Sequence, residues 1–421
     1  MITGRTGVLH DRNFLLLWGG NGISRMGTFG ARLCYPVLAL EVSGSPIVAG
    51  WVSFAASVPN LVCYAHAGIV ADYADRRRTM LRCQLLAVLA SVTLVGWLLL
   101  GGGHTPLVLA AVALVEGVVF AYFAPAEVAA VRDLVPREQY AQAFSYYEAE
   151  QPAAILVGRV LGAALLGWAR WAPFLANLLS SVLSLGSISA LQGDFAPVVR
   201  FGPQQQSFWG RTREGLSWVR RSRFVALATV ATAVANVLFQ VTILLLIVQS
   251  RQEGRPTWLL GIILSSAGAG GILGAALAPR ITRAFGPNRA FVIGLWLWAL
   301  ALTPMALTGN PVVLTVSWCG VGGVGTVVAV VNTLSRIEAV PPEALGRVVG
   351  LLSVIGDGAV PLGAAVGGYV IATWGVADTA RLLPVTVAVL AVGAAALVRR
   401  LPAAPEAGRT TPAALPARTA D

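Results

Sequence analysis

Residues 106–134 read P-L-V-L-A-A-V-A-L-V-E-G-V-V-F-A-Y-F-A-P-A-E-V-A-A-V-R-D-L, with Glu116 and Glu127 the only charges before the final Arg132 and Asp133. A helix rises ~1.5 Å per residue and a bilayer core is ~30 Å thick, so ~20 mostly apolar residues span it. This run is long enough and lacks the strict alternation of a barrel strand, so it reads as a spanning helix. Comparable runs lie at 13–41, 46–71, 78–100, 138–168, 171–191, 224–249, 257–285, 289–308, 312–340, 345–373 and 376–398. The 421 residues are 56% hydrophobic and 12% charged, with a mean hydropathy of +0.74. A soluble chain carries about twice that charged fraction. The expected fold is an all-α membrane protein of twelve transmembrane helices. Residues 1–12 are polar and the first apolar run spans by itself, so no cleavable signal peptide is expected.

The formal charge of +11 invites a nucleic-acid reading, and the placement of the charges answers it. All thirty basic residues are arginine. The lack of lysine excludes a Walker A loop, whose lysine holds nucleotide phosphates. With the N-terminus inside, 23 arginines fall on inner segments and four (Arg170, Arg251, Arg255, Arg381) on outer loops. That bias predicts both termini in the cytoplasm of a cell-membrane protein, with no nucleic-acid partner. Cys34, Cys63, Cys83 and Cys319 fall in or beside spans and are expected to pack as small apolar groups.

An internal repeat organises the chain. Val135-Pro136-Arg137-Glu138 precedes a span with Gly158-x-x-x-Gly162, and Val340-Pro341-Pro342-Glu343 precedes one with Gly363-x-x-x-Gly367, all at an offset of 205. Gly68 and Arg77 match Gly274 and Arg283 at an offset of 206. The expected organisation is two six-helix pseudo-repeat bundles, residues 1–191 and 224–400, around a central cavity. Residues 192–223 would be a cytoplasmic linker with an amphipathic helix, and 401–421 a disordered tail.

The segment G-I-V-A-D-Y-A-D-R-R-R (Gly68–Arg78) resembles the G-x-L-x-D-R-x-G-R-R-x loop of the major facilitator superfamily, with Gly68, Asp72, Arg76 and Arg77 at its key positions. Tyr73 and Asp75 depart from it. The resemblance implies a loop that locks the outward-open state, with Asp133 as acidic partner. Asp11–Gly27, Glu214–Ser222 and Leu345–Leu351 further resemble the branch of bacterial drug, macrolide and siderophore (enterobactin-type) exporters. Helix 5 of such exporters often carries Gly-Pro-x-x-Gly-Gly; here Gly158-Arg159-Val160-Leu161-Gly162 puts Arg in place of Pro.

A charge deep in a bilayer costs at least ~2.5–3.5 kcal/mol and normally faces a cavity or a partner. Helix 1 carries Arg25 and Arg32, helix 4 Glu116 and Glu127, helix 5 Glu148, Glu150 and Arg159, and helix 11 Asp357; the deep parts of helices 3, 6, 9 and 12 carry none. In the resembled fold those four are the outer supports. Arg25 and Glu116 could form a static bridge or a substrate clamp, and Glu148, Glu150 and Asp357 are candidates for titrating carboxylates. Asn236 and Gln240, four apart on helix 7, share a face and could line the cavity, as could Asn21, Asn60, His66 and Asn332. The resemblance implies export of a small amphipathic molecule (drug, antibiotic, siderophore or other metabolite) by alternating access, with proton antiport, membrane lipid around a monomer, and no cofactor or metal. A lipid or lysolipid carrier of the same fold is the alternative; a transport-inactive sensor is more remote. A membrane-embedded enzyme finds no H-E-x-x-H, clustered Cys/His or G-x-S-x-G element to support it.

Overall fold

The computed structural model describes residues 8–193, 195, 223–339 and 342–399, with the side chains of Tyr64, Ala65, Asp72, Ala141, Ser353, Asp357 and residues 223–225 and 333–351 outside the described set. Twelve long helices follow one another, with no strand among the described residues. They are α1 (Arg12–Ser43), α2 (Pro46–Tyr73), α3 (Arg76–Leu99), α4 (Thr105–Leu134), α5 (Tyr140–Trp168), α6 (Ala172–Ser189) and α7 (Arg223–Gln252). Residues 257–307 form α8 and α9, parted at Gly286, and α10 is Pro311–Ala339. Residues 342–399 form α11 and α12, parted at Gly375. Gly286 and Gly375 have φ of 73° and 76°, left-handed values that glycine adopts without steric cost, so each breaks the helix with a single residue. Elsewhere the sequence marks its own helix starts. Asp11 accepts from the Phe14 N–H at 2.9 Å to cap α1, and proline stands in the first positions of α2, α4 and α6. The linker, including its expected amphipathic helix, and the tail lie outside the described residues.

The repeated glycine pairs do the same work in each half. Gly158 and Gly162 of α5 lie against Met26 and Gly30 of α1; a Cβ on Gly162 would stand 2.7 Å from the Gly30 carbonyl oxygen. In the second half Gly363 and Gly367 of α11 lie against Val237 and Val241 of α7, and a Cβ on Gly363 would meet the Val237 Cα at 2.7 Å. Small residues let the backbones touch, which is how helices associate where lipid removes the hydrophobic drive.

The halves meet at the face opposite the start of α1. There a Cβ on Gly50 of α2 would stand 2.7 Å from the Ala364 carbonyl oxygen of α11, and one on Gly261 of α8 2.6 Å from the Ala163 Cβ of α5. Glu41, near the end of α1, accepts from Arg170 at 2.9 Å and from Arg251 of α7 at 2.7 Å. Trp51 Nε1 donates to the Tyr369 hydroxyl across the same face at 3.2 Å. Helices α3, α6, α9 and α12 each present an apolar outer stripe, such as Leu85, Leu86, Leu89 and Val92 on α3, or Leu382, Val385, Val389 and Val392 on α12. All four cysteines are unpaired.

Candidate functional site

The first half buries a charged cluster. Arg25 of α1 forms an ion pair with Glu127 of α4, places its Nε 3.3 Å from Glu150 of α5, and donates to the Tyr147 hydroxyl at 2.8 Å. Glu127 also accepts from Asn21 Nδ2 at 2.9 Å. Behind this cluster, Ser184 of α6 donates to Asn21 at 2.9 Å, and Gln84 of α3 donates to Ser184 and Ser24 at 3.0 and 3.2 Å. Arg25 is 8% exposed, Glu127 1% and Glu150 6%, so one guanidinium answers two carboxylates out of contact with solvent.

Arg25 does not pair with Glu116, which corrects the bridge expected between them. Glu116 turns toward α3 and α6, where it accepts from Asn177 Nδ2 at 2.7 Å and from Ser91 Oγ at 3.4 Å. The buried Tyr35 hydroxyl of α1 also faces this carboxylate. Arg32 is the guanidinium whose field reaches Glu116; it lies over the Phe120 ring, 4.2 Å from the centroid. The two clusters share a wall. A void of about 40 Å³ between α1, α3, α4 and α6 is lined by Asn21, Ser24 and Arg25 on one side and by Thr28, Glu116 and Asn177 on the other.

The loop before α3 is a compact electrostatic joint. Arg76 pairs with Asp133 at the end of α4, Nη1 to Oδ2 at 3.1 Å, so the acidic partner expected from the resemblance is in place. Among the described residues Arg77 pairs with no acid; its Nε donates to the Ile188 carbonyl at 3.2 Å and an Nη to that of Ser189, so it caps the negative end of α6. Asp75, the departure from the resembled motif, caps α3 by accepting from the Arg78 N–H at 2.8 Å. A Cβ on Gly68 would meet nothing within 4 Å. Asp72 belongs to α2, and its side chain lies outside the described residues.

The second half presents a different site. A cavity of about 460 Å³ lies between α7, α8, α9 and α10 and is bounded on one side by Ile155 and Arg159 of α5. Arg159 Nη1 donates to the Leu264 carbonyl at 3.1 Å. Asn236 lines the cavity and donates to the Gly356 carbonyl at 2.9 Å, while Asn332 donates to Thr232 at 3.0 Å. Gln240 faces α11, its Cβ against Gly363. Glu148 is exposed and stands apart from the Arg25 cluster, and the Asp357 side chain lies outside the described residues.

The polar residues of α3 and α6 that complete the buried networks were not singled out from the sequence. A signal existed: Gln84 and Ser91 are seven apart, as are Asn177 and Ser184, so each pair shares a helix face.

Residues 4–419 match the family model described as transmembrane secretion effector, within the transporters of the major facilitator superfamily. The chain is 26% identical over 396 residues to the multidrug efflux pump Tap of Mycolicibacterium fortuitum, covering 90% of this chain and 92% of that one. It is 25% identical over 353 residues to the MFS-type transporter y4rN of Sinorhizobium fredii, covering 80% and 82%. Among solved structures, the nucleoside transporter NupG superposes with a TM-score of 0.71 at 14% identity, covering 93% of this chain and 100% of that one. A bacterial homologue of the iron transporter ferroportin, in an inward-facing state, gives 0.68 at 15% identity over 91% and 98%. At such identities the structures speak to fold alone, which is the twelve-helix arrangement described above. The family model spans nearly the whole chain, and the protein belongs to the transmembrane secretion effector family of major facilitator transporters.

Proposed function

We propose that the protein exports a small amphipathic molecule from the cell by alternating access, in exchange for protons, as a monomer with both termini in the cytoplasm. The observation that carries this reading is the charge balance at Arg25. One buried guanidinium faces Glu127 and Glu150, so the cluster keeps one net negative charge unless it takes up a proton. In a low-dielectric interior an uncompensated charge is costly, and a change of access that alters solvation also alters proton occupancy. The void between Arg25 and Glu116 exceeds the ~10–15 Å³ that one ordered water requires, and Asn21, Ser24, Thr28 and Asn177 offer such a water polar partners within a largely apolar lining, so a proton could pass between the two clusters. The contacts across α2–α11 and α5–α8 gather at the face opposite the start of α1, which fits a resting state sealed on the outer side. Likeness to an efflux pump, with 92% of its length covered, supports the outward direction.

The test is an efflux panel of drugs and metabolites in a susceptible host, with Asp72→Asn and Glu150→Gln as variants. Wild-type expression should lower accumulation of at least one compound, an uncoupler should restore it, and both variants should fail to lower it. Efflux that persists undiminished under uncoupler would contradict proton exchange. A properly inserted protein that changes accumulation of no compound would contradict export.

A further inference from the structure

The 460 Å³ cavity of the second half contains a cation, Arg159, that pairs with no carboxylate among the described residues. Among the described residues Arg159 makes one hydrogen bond, to the Leu264 carbonyl, and has no carboxylate within 4 Å. Arg25, by contrast, has two carboxylates. A guanidinium within a spanning helix is expensive, and such groups are retained where an anion or a water-filled path meets them. The cavity offers a second unmet group: Asn332 is 4% exposed, and its Oδ1 is buried without a hydrogen-bond partner while its Nδ2 is committed to Thr232. Phe239, Phe291 and Trp298 supply flat apolar wall.

We propose that this cavity binds an amphipathic aromatic anion, its acidic group on Arg159, a donor on its body reaching Asn332 Oδ1, and its rings against the aromatic wall. The inference rests on the transporter reading and narrows its substrate class. The arrangement suits a planar carboxylate better than a point anion, because a guanidinium presents its donors in a fork that matches two oxygens. Arg159 lies where α5 meets α8, since a Cβ on Gly261 of α8 would stand 3.0 Å from the Arg159 carbonyl oxygen.

The probes are fluorescein, an aromatic carboxylate, and tetramethylrhodamine methyl ester, a cation on the same ring skeleton. Binding is read by fluorescence anisotropy on the full-length protein in nanodiscs of phosphatidylcholine, and again with phosphatidylglycerol added. The proposal expects fluorescein to bind about tenfold or more tightly than the ester. Arg159→Gln should weaken fluorescein about tenfold or more, Arg159→Lys should restore part of the loss, and Asn332→Asp should weaken fluorescein while favouring the ester. Equal binding of both dyes, no binding of either, or fluorescein binding unchanged in Arg159→Gln overturns it. Loss of fluorescein binding on adding phosphatidylglycerol also overturns it, because the site is then a lipid headgroup's. These readouts are independent of efflux, so a protein that expels compounds yet fails them loses only the ligand assignment, and one that passes them without efflux keeps it.

Discussion

The two six-helix halves share a packing plan and differ in what they bury. Gly158 and Gly162 bring α5 onto α1, as Gly363 and Gly367 bring α11 onto α7. Yet the first half buries Arg25, Glu116, Glu127 and Glu150 with Asn21, Gln84 and Asn177, whereas the spans of the second half contain no buried charge among the described residues. Its interior is a stack of Trp318 on Phe239 beside a cavity with amide and aromatic walls. Backbone approach permits few substitutions, so glycine pairs persist through duplication; interior polarity is free to diverge once each half has a different task. In this account the first half handles protons and the second, with Arg159 lent by α5, handles the ligand.

The largest expected effect breaks that contrast at its centre. Arg25→Met strands Glu127 and Glu150 without their cation and should destabilise the detergent-solubilised protein by ~3–5 kcal/mol, seen as a large fall in Tm. Arg159→Met removes a guanidinium with no carboxylate partner among the described residues and should cost well under half as much. Equal falls would erase the distinction between the halves. Next come the shared packing positions. Gly162→Ala forces a methyl toward the Gly30 backbone and should cost ~1–3 kcal/mol, while Gly367→Ala, whose nearest neighbour would stand 3.2 Å away, should cost less on the same melting assay. The smallest effect belongs to the joint between halves. Glu41→Gln loosens the partly exposed pairs with Arg170 and Arg251 and should change stability by ~0.2–1 kcal/mol. It should nevertheless raise the labelling rate of a cysteine introduced at Trp51, which lies on that face. Unchanged labelling would mean that Glu41 contributes nothing to the seal.

The twelve spans were legible because length and apolarity alone decide them; each observed helix lies within a few residues of its expected range. The Arg76–Asp133 pair was legible through motif resemblance. The partner of Arg25 was not, and the reason is geometric. Arg25 stands thirteen residues from the start of α1, between Glu116 and Glu127, which stand eighteen and seven residues from the end of the antiparallel α4. Depth therefore favours neither carboxylate, and the decision falls to Asn21 and Tyr147, which complete the site around Glu127. Glu148 and Glu150 were equally plausible in sequence, but two residues on a helix are ~200° apart, so only Glu150 can reach the cluster. The cavity under Arg159 was illegible, since its walls come from five helices and no spacing announces a void.

The division of labour is tested most directly in proteoliposomes, using a compound that the wild-type protein moves in the efflux panel. Proton-driven transport and substrate counterflow are measured side by side for wild type, Glu127→Gln/Glu150→Gln and Asn332→Asp. The account predicts that the double variant loses proton-driven transport while keeping counterflow, because the ligand cavity is intact and only the carboxylate pair facing Arg25 is gone. It predicts that Asn332→Asp loses both, because the ligand site itself is altered. Full proton-driven transport in the double variant would contradict the assignment of proton coupling to the first half.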